Sequence, residues 1–151
     1  MPTIYLTRTV RFSAAHRYYR PEWSEERNRE LFGACANPHG HGHNYQLEVM
    51  VAGRPDPETG FSVDLGRLDA LLREEVQDRL DHQHLNHAVP AFGEGRKIPT
   101  TENLLIYLWE RLAPRMEEVR LVRLRLREDV DLFADYYGPE TEAGPRREAL
   151  A

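Results

Sequence analysis

Apolar and polar residues alternate over positions 44–51. Tyr45, Leu47, Val49 and Val51 hold the odd positions, while Asn44, Gln46, Glu48 and Met50 hold the even ones. Side chains two apart share one face of a strand, so the segment predicts a strand with one buried face. His41 and His43 have the odd parity and join the apolar face if the strand extends back through them. Residues 3–11 carry Ile4, Tyr5, Leu6, Thr7, Thr9 and Val10 and predict another strand. In residues 119–128, Val122, Leu124 and Leu126 face one way and Arg123, Arg125 and Arg127 the other, with Glu128 on the apolar side. Residues 132–137 predict a fourth strand.

The period changes to 3.6 in two places. Asp64 reads as a helix N-cap, followed by Leu65, Leu68, Leu71, Leu72 and Val76, with the helix ending near Leu80. Thr100, Thr101 and Glu102 open a second helix, with threonine as cap and an acid in the first turn. Leu104, Leu105, Leu108, Trp109 and Leu112 form its buried stripe. Residues 53–60, with two prolines, predict a hairpin turn, and the polar residues 20–29 a loop or short helix. Between the helices lies a loop of roughly twenty residues, a length associated with function. Two strands, two helices and two strands predict an α+β fold: an antiparallel sheet in ββααββ order with both helices on one face. Its strand edges would be exposed, and oligomerisation is one way to cover them.

Composition narrows the class. A chain of 151 residues fits one domain. No apolar run reaches the ~18 residues of a membrane span, and the opening Met-Pro-Thr-Ile-Tyr lacks the basic region and following apolar stretch expected of a secretory signal. One cysteine cannot form an internal disulfide, which fits a cytoplasmic protein. A net charge of −5 with interspersed signs argues against a nucleic-acid surface. Lys97 is the only lysine, so arginine carries the positive charge.

The candidate chemistry centres on histidine. His16, His41 and His43 offer three imidazoles, and three protein ligands leave a tetrahedral zinc one open position. His39 with His41 is a formal alternative to His41 with His43, since both pairs share parity. Cys35, six residues before His41, has three readings: a base or nucleophile whose thiol is acidified by a nearby cation, a fourth metal ligand, or a small buried apolar residue. In Asp81-His82 the aspartate can orient an imidazole that moves protons, or simply cap a helix, with His84 and His87 as competitors. Glu128 must find donors or be desolvated at a cost, and a salt bridge with Arg11 is the plain alternative.

Taken in order, the motifs Phe12-Ser13-Ala14-Ala15-His16, Leu31-Phe32-Gly33-x-Cys35, His41-Gly42-His43-Asn44-Tyr45, Asp56-Pro57-x-Thr59-Gly60, Leu80-Asp81-His82-x-x-Leu85, Thr100-Thr101-Glu102-Asn103 and Glu128 resemble the 6-pyruvoyl-tetrahydropterin synthase family. That family also contains 6-carboxytetrahydropterin synthase. The resemblance spans about residues 3–137. It implies a T-fold domain over residues 1–138, with residues 139–151 as a flexible tail. It also implies a barrel made by a trimer, two trimers stacked as a homohexamer, and active sites shared between subunits.

Position by position, the resemblance implies Zn²⁺ on His16, His41 and His43, with Cys35 as general base. Asp81 and His82 would complete proton transfer, and Glu128 would anchor the pterin with Thr101 and Glu102 in support. The implied reaction converts 7,8-dihydroneopterin triphosphate to 6-pyruvoyl-tetrahydropterin by eliminating triphosphate. Arg17, Arg20, Arg96 and Lys97 are candidates for the phosphates. Five residues separate Cys35 from His41, resembling the pyruvoyl-forming type. The carboxy-forming type, on the route to queuosine, commonly has three, which is the Cys35–His39 spacing. More distant readings are a three-histidine zinc hydrolase and a structural zinc protein.

Overall fold

The computed structural model describes residues 2–140. The expected tail falls, from residue 141 on, outside the described residues. Among those described, no helix is long and apolar enough to cross a membrane.

In chain order the elements are β1 (Ile4–His16), α1 (Glu25–Phe32), β2 (His41–Gly53), α2 (Leu65–Leu72), α3 (Asp78–Leu80), β3 (Gln83–His84), α4 (Leu85–Ala88), α5 (Thr101–Leu112), β4 (Arg120–Asp129) and β5 (Leu132–Tyr136). The strands form one sheet in the order β3-β1-β2-β4-β5. β1 and β2 pair antiparallel along their whole length, from Ile4 against Gly53 to His16 against His41. β4 pairs antiparallel with β2 and with β5.

The fold is α+β, but it departs from the simple ββααββ order. The segment between the helices is not structureless. It contributes β3, which pairs parallel with β1 at Ala14 and Ala15, and then α4 and a 3₁₀ turn at Pro90–Phe92. Residues 53–60 form no hairpin, because α2 rather than a strand follows them. Their turn is an Asx arrangement in which Asp56 Oδ1 accepts the N–H groups of Glu58 and Thr59, both at 2.9 Å. Both original strands also run further than their patterns, β1 to His16 and β2 back to His41.

The two predicted helix caps are present: Asp64 Oδ1 accepts the Arg67 N–H at 3.1 Å and Thr100 Oγ1 accepts the Asn103 N–H at 3.2 Å. The core lies on one face of the sheet. Val10 and Phe12 of β1, Leu47, Val49 and Val51 of β2, and Leu124 and Leu126 of β4 meet Leu68, Leu72, Val76 and Leu80 from the first helical stretch and Leu104, Leu105, Leu108 and Leu112 from α5. Burying each leucine stabilises the fold by roughly 1.5–3 kcal/mol. A register shift between Met50 and Val51 leaves Val122 unpaired, so Leu121 joins the central core cluster in its place. On the opposite face Arg125 makes two bonds to Asp135, at 2.7 and 2.9 Å, while Phe133 lies under the Arg125 and Arg127 guanidiniums.

A π-helical turn at Arg73–Gln77 joins α2 to α3. It rotates the helix so that Glu75 and Val76 both turn inward. Buried Glu75 accepts hydrogen bonds from Arg111 Nε and Arg115 NH1, each at 2.7 Å, and lies 3.1 Å from Arg79 Nε. Burial works to raise its carboxyl pKa. The bonds from Arg111 and Arg115 and the charges of Arg111 and Arg79 outweigh that and hold it below the usual range.

This carboxylate therefore contributes stability that is complete above its unfolded pKa of ~4.3 and is lost as pH falls through the folded value. Glu75→Gln is expected to cost about 2 kcal/mol at neutral pH. It should also flatten the dependence of the urea midpoint on pH below ~4.5. A variant curve parallel to that of the unsubstituted protein would refute the assignment.

Candidate metal centre and its surroundings

β1 ends on His16 and β2 begins on His41, directly across the ladder from it, while His43 lies opposite Ala14. The pleat puts all three imidazoles on the helix-facing side. His16 Nε2 and His41 Nε2 are 3.0 Å apart, and one ring nitrogen from each of the three residues lies within 4.8 Å of the other two. Gly40 (φ +70°) makes this entry to β2 possible, because a Cβ there would collide with the His16 carbonyl oxygen. His39 is exposed and outside the group, so the structure gathers His41 with His43 rather than with His39.

His16 is completely buried. Burial first, then the neighbouring His43, His41 and His84, lower its pKa to about 3. It is held neutral, the form that ligates metals. Its Nδ1 lies 2.8 Å from the Tyr45 hydroxyl, a partner that fixes the ring orientation. His43 Nε2 is buried and has no hydrogen-bond partner among the described residues. It lies 3.0 Å from Glu128 Oε1, but off the hydrogen-bonding direction. Three clustered nitrogens, one buried without a partner and one on a ring held neutral, fit a divalent metal of the zinc type.

Cys35 lies in a 3₁₀ turn, Gly33–Ala36, after α1. Its carbonyl accepts the Tyr18 N–H at 2.8 Å. Its Sγ is 3.1 Å from His41 Nε2 and 3.9 Å from His16 Nε2. Burial, and behind it the Glu128 charge, raise the thiol pKa. Phe32 packs on Trp23 and Tyr18, and Tyr18 on His16, so an aromatic cluster supports the cysteine turn.

Glu128 is the residue skipped by the β4–β5 register shift between Arg127 and Asp129. A bulge re-aims the side chain it carries, and this one points at the histidines rather than at Arg11. Thr101 Oγ1 donates to Glu128 Oε2 at 2.6 Å. Glu102 is exposed, and its charge adds to the burial and the other charges that raise the Tyr18 pKa.

Asp81 and His82 do not join this group within one chain. His82 is 82% exposed, and its ring contact is to Asp81 Oδ2 at 3.0 Å. The pair is fastened to β1: Ser13 N–H donates to Asp81 Oδ1 at 2.8 Å, and His82 N–H donates to the Ser13 carbonyl at 2.6 Å. The Ser13 bond first, then that from His82, keep the Asp81 carboxyl below its ordinary range. His82 takes φ +59°, an uncommon backbone for a residue with a side chain.

Tyr45 and Tyr18 were not singled out from the sequence as site residues. The parity of Tyr45, two positions after His43, was the available signal for the first. Nothing in the pattern marks Tyr18, whose place depends on the fold of the α1 segment.

A family model described as 6-pyruvoyl tetrahydropterin synthase matches residues 5–139. The chain belongs to the 6-pyruvoyl tetrahydropterin synthase family. The 6-pyruvoyl tetrahydrobiopterin synthase of Poecilia reticulata is 40% identical to it over 134 residues, 89% of this chain and 90% of that one. The structure of the Caenorhabditis elegans 6-pyruvoyl tetrahydropterin synthase matches with a TM-score of 0.84 at 34% identity, over 92% of this chain and 98% of that one. The fold is therefore the T-fold of this family. A putative 6-carboxy-5,6,7,8-tetrahydropterin synthase of Archaeoglobus fulgidus is 34% identical over 89 residues, 59% of this chain and 70% of its own.

Metal titration tests the centre in this member of the 6-pyruvoyl tetrahydropterin synthase family. Metal-free protein is expected to bind about one Zn²⁺ per chain by calorimetry. His41→Ala should weaken binding at least about 100-fold with an unchanged circular dichroism spectrum. His39→Ala should bind as the unsubstituted protein does; the reverse pattern would reassign the ligands.

Proposed function

We propose that this protein is a 6-pyruvoyl-tetrahydropterin synthase, a zinc-dependent carbon–oxygen lyase that converts 7,8-dihydroneopterin triphosphate to 6-pyruvoyl-tetrahydropterin with loss of triphosphate. The observation that carries the reading is the close grouping of three imidazoles, a thiol 3.1 Å from one of them and a carboxylate 3.0 Å from another. Family membership and the relatives' names support the same reaction.

Zinc held by His16, His41 and His43 would supply a Lewis acid for the substrate's side-chain oxygens. The chain's own residues do the rest. Glu128 holds the pterin by accepting two parallel hydrogen bonds from its N2 amine and N3–H. Thr101 orients that carboxylate by donating to Oε2, and Oε1 takes no hydrogen bond from His43. Glu102 supports the pterin end. Cys35 takes the proton from the side-chain carbon next to the ring. Burial and the Glu128 charge oppose thiolate formation, and a cation held by the histidines would favour it. Asp81 accepts from His82 Nδ1, leaving Nε2 to move protons during tautomerisation.

Because His82 is exposed and stands apart from Cys35, a second copy of the chain brings it to the site. A homohexamer of two stacked trimers does this. Two bare sheet edges support association: β1 from Ile4 to Phe12, where Ile4 and Tyr5 are exposed, and β5, where Leu132 and Phe133 are exposed. A cytoplasmic location is part of the proposal, supported by the single cysteine of the sequence.

The 6-carboxy product is the alternative. The grouping of His41 with His43 keeps the five-residue Cys35–His41 spacing, and that supports the pyruvoyl product. A zinc hydrolase or a structural zinc protein would not need Cys35.

Zinc-loaded protein incubated with 7,8-dihydroneopterin triphosphate should yield 6-pyruvoyl-tetrahydropterin by mass spectrometry; a 6-carboxy product with acetaldehyde would overturn the product assignment. Cys35→Ala should lower kcat at least about 100-fold while keeping its zinc. Inactive Cys35→Ala and His82→Ala chains, mixed under subunit exchange, should regain activity. No recovery despite exchange would place both residues in one chain's site.

A further inference from the structure

Tyr18 lies against the histidines yet takes no part in the proposed chemistry. Its ring packs on the buried His16 imidazole, with centroids 4.5 Å apart, and meets Phe32 edge-on at 5.9 Å. His16 is the middle of the cluster, its ring 4.9 Å from that of His41 and 4.9 Å from that of His43. Tyr19, one residue on, turns away, with its ring under the Arg17 guanidinium.

The backbone that carries the Tyr18 ring is held on both sides. Tyr18 N–H donates to the Cys35 carbonyl at 2.8 Å. The preceding residue is held by Asn86, whose Oδ1 accepts the Arg17 N–H at 2.8 Å and whose Nδ2 donates to the Arg17 carbonyl at 2.9 Å. The phenol is thereby tied to the turn that carries Cys35. A ring fixed in this way loses little freedom on meeting a ligand.

Packing asks only for the ring. A phenylalanine would stack on His16 and Phe32 equally well, so the hydroxyl is the informative atom. Tyr45 shows a satisfied phenol in the same site: it is buried, and its hydroxyl lies 2.8 Å from His16 Nδ1. The Tyr18 hydroxyl has no hydrogen-bond partner among the described residues, and it is not sealed in, because Tyr18 is only half-buried. Burial raises its pKa most, and the charges of Glu128, Cys35 and Glu102 raise it further, which sets the hydroxyl in reach of the carboxylate and the thiol. A phenol is in any case a hydrogen-bond donor at neutral pH.

We propose that Tyr18 is a specificity-determining residue whose hydroxyl donates a hydrogen bond to a side-chain oxygen of the bound pterin. The identity of that ligand rests on the lyase reading. Glu128 recognises the edge of the ring system, and that contact does not distinguish one substituent at carbon 6 from another. A donor near both the carboxylate and the thiol reads the substituent. It favours a side chain that carries an oxygen close to the ring over one that carries none.

The test uses full-length, zinc-loaded protein and two pterins: neopterin, which has side-chain hydroxyls, and 6-methylpterin, which has none. Binding is followed by pterin fluorescence, with zinc content and melting temperature measured alongside. Tyr18→Phe keeps the ring and removes the oxygen. It should bind neopterin roughly five- to tenfold more weakly and 6-methylpterin as before, with zinc content and melting temperature unchanged. Tyr136→Phe, on β5 against Trp109, should bind both pterins as the unsubstituted protein does. Unchanged neopterin affinity in Tyr18→Phe would confine the residue to packing and overturn the proposal. Equal weakening toward both pterins, or loss of zinc, would overturn it too. If the unsubstituted protein binds neither pterin, the lyase reading itself fails and takes this role with it.

Discussion

The antiparallel pairing of β1 with β2 is the constraint on which the rest of the site depends. It matches His16 with His41 and Phe12 with Tyr45, whose rings stack at 4.9 Å within 9° of parallel. A slip of one residue would send every inward side chain of one strand to the opposite face. The imidazoles would then be divided between core and solvent, and the core would lose Tyr45, Leu47 and Val49 together. The hydrophobic energy of the sheet therefore also guards the grouping of the three imidazoles. Tyr45 joins the two directly, with its ring in the core and its hydroxyl on His16 Nδ1.

Around that register the charges are arranged by burial. His16 is kept neutral by burial and by three neighbouring imidazoles, while Glu128 enters from a bulge in β4, the strand beside β2. A carboxylate beside three clustered imidazoles and a half-buried thiol is an incomplete set. It favours an added cation, and the unpartnered His43 nitrogen marks where one belongs. The adjoining cleft, lined by Arg17, Arg96 and Lys97 against the single carboxylate of Glu94, has the opposite imbalance and favours an added anion.

The rigid parts and the open parts lie on different elements. Core leucines hold the sheet against α2, α3 and α5, and the Glu75 network clamps α3 to α5. Asp81 and His82 are pinned to Ser13 by backbone bonds yet turn their ring to solvent. An exposed ring on a backbone so firmly held is what the proposed intersubunit site requires.

The local patterns were legible in the sequence. Alternation in residues 44–51, the parity of His41 and His43, and the caps at Asp64 and Thr100 are encoded in neighbouring residues, because pleat and helix periods act over a few positions. Motif order carried the family and its T-fold as well. Other features had no local signature. Among them are the parallel pairing of β3, the π turn that buries Glu75, the bulges at Val122 and Glu128, and the choice of His41 over His39. The bonding of Arg17 to Asn86 likewise joins segments 69 residues apart. Each is decided by packing between distant parts of the chain, where register, bulge and close approach are set together and no single segment carries the information.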